Sequence, residues 1–117
     1  MTIARVLALG ALLLLSACGG DGANPPEDCT DPVAATTVEL ADFAFRPDCL
    51  SAEAEATITL DNTGDAPHTF TVEGTDVSFD VPAGDSAEGT LSGVTPGRYE
   101  VTCIYHPQMT ATLEINR

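Results

Sequence analysis

Lysine is absent from this 117-residue chain, and arginine occurs only four times against eighteen acidic residues. All of the acids follow Cys18, where only Arg46, Arg98 and Arg117 remain as bases, so that part of the chain carries a formal charge of −15. Nucleic acid and anionic lipid headgroups are therefore poor direct partners. The acidic surplus reads either as steering towards a basic protein or as the solubility of an exported or salt-adapted one, and composition leaves both open. Histidine is scarcer still: His68 and His106 are the only two, and Met109 is the only methionine besides Met1. Sites built from many histidines, or from methionine-rich or histidine-rich tracts, are excluded. A helical period is also missing from Thr36 onward.

The apolar run from Val6 to Leu15 follows Arg5 and is too short to span a bilayer, but it suits a signal-peptide core. Leu15-Ser16-Ala17-Cys18 resembles a bacterial lipobox, which implies that residues 1–17 are removed and Cys18 is lipidated. An ordinary secretory signal with a cysteine at its cleavage site is the alternative. A multiply acylated cysteine holds a protein stably on a membrane, where a single acyl chain does so only marginally. Residues 18–35, rich in Gly, Pro, Asp and Glu, read as a lipidated cysteine with a disordered tether, and 36–117 as one folded domain. If Cys18 carries lipid and Cys103 a metal, Cys29 and Cys49 are left to pair in an oxidising compartment. Such a bridge is worth roughly 3 kcal/mol in the chain-entropy account. Two free thiols, or a link from Cys29 to another chain, are the other possibilities.

Within the domain apolar and polar residues alternate. Val38 to Leu40, Ala56 to Leu60, His68 to Val72, Val77 to Val81, Tyr99 to Cys103 and Ala111 to Ile115 all do so. Turn signals separate them, among them Asn62-Thr63-Gly64-Asp65, Pro82-Ala83-Gly84-Asp85 and Thr95-Pro96-Gly97. An all-β, Greek-key β-sandwich is expected. Ser51 to Ala56, rich in Ala and Glu, is read as a possible helical turn. Side chains two apart share a face, so Cys103 follows Tyr99 and Val101 inward, and His68 points inward with Phe70 and Val72.

Cys103-Ile104-Tyr105-His106-Pro107-Gln108-Met109 sets a thiolate, an imidazole and a thioether at every third residue. Two histidines and one cysteine, with a weak axial methionine, suit an ion that alternates between Cu(I) and Cu(II). His68 supplies the missing imidazole, because no other histidine is left. His106 and Met109 are placed in the loop after the Cys103 strand. Zinc sites do without a thioether. A Cys–His nucleophile would need an exposed sulfur, whereas the alternation buries Cys103. A binuclear copper site would need a second cysteine in the loop.

From Val38 to Ile115 the chain resembles the cupredoxins of the plastocyanin/azurin family, and its short ligand loop is most similar to the amicyanin-like branch and to small bacterial blue-copper domains. The likeness rests on Asp42-Phe43-Ala44-Phe45-Arg46-Pro47, on Asn62 to Phe70, and on Gly97-Arg98-Tyr99 through Met109. It implies His68, Cys103 and His106 as equatorial ligands of one type 1 copper ion, Met109 as the axial ligand, and one-electron transfer as the activity. Two positions depart from the pattern. Thr69 stands where an Asn usually follows the first histidine and ties the ligand loops together, so the reduction potential does not carry over. Ala111 stands where glycine is frequent.

The expectation is a monomeric, extracytoplasmic electron carrier, held to a bacterial membrane by its N-terminal lipid, and not an enzyme. Its partner would be a redox protein such as a cytochrome, a dehydrogenase or an oxidase, and a basic one if charge steers the encounter. The rival is an envelope lipoprotein that binds and delivers copper without redox cycling.

Overall fold

Val38 and Leu40 are fully buried while Thr37 and Glu39 on either side are not, and this alternation builds the fold strand by strand. A computed structural model describes residues 29–117; the expected signal peptide, the Cys18 read as its lipidated end, and the first part of the expected tether lie outside the described residues. Ten strands are found there: Val33–Ala34 (β1), Thr37–Ala41 (β2), Ala44–Arg46 (β3), Cys49–Glu53 (β4), Thr57–Asn62 (β5), His68–Val72 (β6), Ser78–Val81 (β7), Ser86–Thr90 (β8), Gly97–Cys103 (β9) and His106–Asn116 (β10). They form one sheet in the order β1-β4-β10-β9-β6-β7 and another in the order β3-β2-β5-β8. Non-consecutive neighbours such as β2–β5, β4–β10 and β6–β9 come from crossovers between the sheets, and the result is the expected all-β sandwich.

The inner faces meet in one apolar core. Leu40, Phe45, Ile58 and Leu60 of the smaller sheet face Leu50, Phe70, Val101 and Leu113 of the larger. Phe45 and Phe70 stack edge to face across the gap, with centroids 5.9 Å apart, a geometry worth about 0.5–1.5 kcal/mol beyond burial.

Two expectations need correction. Residues 29–35 belong to the folded domain and not to the tether: Val33 and Ala34 pair in parallel with Leu50 and Ser51 of β4, and Ala35 N–H donates to Ser51 O. A disulfide joins Cys29 to Cys49, with Cα atoms 5.3 Å apart, and Cys29 is buried. The composition of this segment is tether-like, but edge pairing and the bridge hold it. Ser51 to Ala56 is not helical either. Its first half continues β4, whose parallel pairing with β10 satisfies its backbone, and the chain then turns at Glu55, whose φ is +63°.

Candidate metal centre

Cys103 ends β9 and His68 begins β6, and the core-facing phase of each strand carries both side chains inward. Both are buried, to 1% and 0% exposure. A two-residue turn, Ile104-Tyr105, pairs Cys103 with His106 at the start of β10. His106 Nδ1 lies 3.5 Å from Cys103 Sγ, and His68 Nδ1 lies 3.9 Å from it. The ligating atoms of these three residues all fall within 4.8 Å of one another.

His106 and Met109 stand in β10 and not in a loop. The register of β10 against β9 shifts between His106 and Thr110, so 107–109 form a bulge, a device that re-aims side chains beside functional sites. As the last bulge residue, Met109 falls in phase with Ala111, Leu113 and Ile115, all core-facing, and is 1% exposed.

Cys103 is a free thiol, and its sulfur accepts the Thr69 backbone N–H at 3.4 Å. The Thr69 hydroxyl accepts the Ile104 N–H at 2.9 Å. Thr69 thus ties the strand of the first histidine to the turn between Cys103 and His106, where the resemblance led one to look for an asparagine.

Sequence reasoning missed Asp42. It stands in the two-residue turn between β2 and β3, and its Oδ1 lies 2.9 Å from His68 Nε2. A carboxylate only accepts, so the His68 proton sits on Nε2 and the Nδ1 lone pair is left free towards Cys103. Asp42 also accepts the backbone N–H groups of Asp65 (2.8 Å) and Ala66 (3.3 Å) in the turn that precedes His68. The Asp65 N–H above all, together with His68, holds its carboxyl below the usual range. Gly64 makes the approach possible, because a Cβ there would collide with the Asp42 carboxylate.

Phe43, next in the turn, has φ +77°. That is an outlier for a bulky residue and costs on the order of 1–3 kcal/mol. Its exposed ring meets the His106 ring at 4.8 Å between centroids. Asn62, buried at the end of β5, donates to Ala66 O and Val81 O, both at 2.9 Å, and accepts from Gly64 N–H. It therefore braces the His68 turn from below. At the rim Tyr105 donates its hydroxyl to Asp80 at 2.9 Å, which raises the phenol's pKa.

One thiolate, two imidazole Nδ1 atoms and a buried thioether at one end of a β-sandwich suit a single type 1 copper ion, and fold and donor set together fit a blue copper protein. The sequence matches the family model described as a cupredoxin-like domain over residues 5–115, and the chain belongs to that family. None of the curated proteins matches the sequence. Among solved structures, an oxidised variant of amicyanin is similar at 19% identity and a TM-score of 0.57, over 71% of this chain and 83% of that one. A purple cupredoxin from Nitrosopumilus maritimus is similar at 18% identity and a TM-score of 0.57, over 69% and 99%. A copper-containing nitrite reductase from Thermus scotoductus is similar at 21% identity and a TM-score of 0.56, but this chain spans only 23% of its length. At these identities the likeness is one of fold.

Proposed function

We propose that this protein carries single electrons on one type 1 copper ion in the cell envelope, held to a membrane by a lipid on Cys18, and that it is not an enzyme. The convergence of Cys103 Sγ with the Nδ1 atoms of His68 and His106 carries the reading. Bound copper supplies the one-electron couple. The chain's part is to keep one geometry in both oxidation states: strand ends fix Cys103 and His68, and the Thr69 amide stabilises negative charge on the sulfur. Burial of Cys103 withholds its sulfur from any substrate, which supports a carrier over a Cys–His nucleophile.

The half-buried His106 is the port for electrons. Three of the four large apolar side chains exposed among the described residues lie by it: Phe43 packs on its ring, and Ile104 and Tyr105 form the turn that leads into it. Acids flank this patch: Asp80 bonds Tyr105, and Asp42 and Asp65 share the turn contact. A basic redox protein complements such a rim, and its association should slow as salt screens charge over about 10 Å at 0.1 M.

The test is to load the protein with Cu(II), record its visible spectrum and cycle it by voltammetry. A stable, intensely coloured Cu(II) state that cycles reversibly is expected. Tight Cu(I) binding without a stable Cu(II) state would instead mark a copper-delivery protein. Fractionation of a Cys18→Ala variant checks the anchor: it should leave the membrane pellet that holds the parent protein.

A further inference from the structure

The Asp42-Phe43 turn belongs to neither the ligand loop nor the ligand strands, yet it touches both histidines. Asp42 Oδ1 holds His68 Nε2 at 2.9 Å, and the Phe43 ring lies 4.8 Å from that of His106 and 6.2 Å from that of His68. A turn chosen for stability would place glycine or asparagine at the positive φ that Phe43 occupies. The Asp42 carboxylate also replaces water as the partner of an imidazole that is 0% exposed.

We propose that Asp42 is a positioning residue that fixes the tautomer of His68 and strengthens it as a donor, biasing the site towards its oxidised state. The inference deepens the copper-carrier reading and rests on it. The physical chain is short. Because Asp42 can only accept, the Nε2 proton stays in place, and Nδ1 keeps its lone pair on the side where Cys103 Sγ lies at 3.9 Å. A carboxylate on the remote ring nitrogen raises the basicity of a ligating imidazole. A more basic donor, with a full negative charge behind it, favours the doubly over the singly charged ion. The backbone amides of Asp65 and Ala66 then keep the carboxylate from swinging away.

Two variants of the full chain separate this role from mere turn building. Asp42→Asn keeps an amide oxygen of the same shape without the charge, and Asp42→Ala removes both. In the metal-free protein, 15N NMR of the imidazoles should show one Nε2–H tautomer for His68 in the parent and a mixture in Asp42→Ala. With copper bound, Asp42→Ala should shift the reduction equilibrium towards Cu(I) by about tenfold, or 59 mV for a one-electron couple, and Asp42→Asn should shift it the same way by less. If both variants lower the melting temperature but leave the tautomer and the potential unmoved, Asp42 is a turn staple and the inference falls. If the parent holds no copper at all, the carrier reading falls instead, and the metal-free tautomer still decides whether Asp42 positions His68.

Discussion

The two sheets divide the work of the metal centre. All four candidate ligands stand on the larger sheet, His68 on β6, Cys103 on β9, and His106 and Met109 on β10. The smaller sheet offers no donor, but it contributes Asp42 behind His68, Phe43 against His106, and Asn62 beneath the turn leading to His68. Donor spacing is therefore a matter of hydrogen-bond register within one sheet, while ring orientation depends on how the other sheet packs against it. A register is hard to deform, whereas a packing contact can be tuned one side chain at a time.

Substitutions that act on one sheet and spare the other sharpen this division. The largest effect belongs to Cys103→Ser, which should abolish the thiolate-to-copper charge-transfer absorption while circular dichroism stays that of the parent; retained strong colour would show that the sulfur is not a ligand. Phe45→Ala removes the aromatic contact that joins the sheets, and should cost about 3–5 kcal/mol in denaturant unfolding. A loss below 1 kcal/mol would mean that the sheets are held together elsewhere. Asn62→Ala leaves the Val81 carbonyl without its buried donor, which should cost about 1–3 kcal/mol. The colour should survive, because no donor is touched. The smallest effect is expected from Arg98→Ala, since the Arg98–Glu114 pair is 51% and 38% exposed; such pairs contribute at most about 1 kcal/mol, screened by salt. A larger loss there would show the outer face of the donor sheet to be less passive than the comparison holds.

The donor sheet is also the more legible in sequence. β6 and β9 alternate strictly, so the inward aim of His68 and Cys103 follows from residues two positions away, and both side chains are buried. The smaller sheet hides its edges. β3 has only three residues, and β8 reads Ser86-Ala87-Glu88-Gly89-Thr90, where small inward residues give no apolar signal. Gly89 is needed there because a Cβ would strike the Phe79 ring, a contact between the two sheets that no local pattern announces. β1 and β4 escape for a different reason: β1 pairs in parallel with β4, and β4 in turn with β10, more than fifty residues further along the chain. Asp42 looks like any turn acid until the crossover topology sets its turn beside that of Gly64 to Ala66.

The bond between Cys29 and Cys49 bears on how the protein meets its metal as well as on how it folds. By consuming two sulfurs it leaves Cys103 as the only free thiol among the described residues, so a soft ion entering the domain finds one cysteine sulfur and cannot be shared between rival pairs. Scrambling is blocked by distance. β10 lies between β4, which starts at Cys49, and β9, which ends at Cys103; two strand spacings amount to about 10 Å, beyond the reach of thiolate attack on the bridge. With two sulfurs already bridged and Cys103 buried, the described domain can be loaded with metal without a reductant to free its thiol.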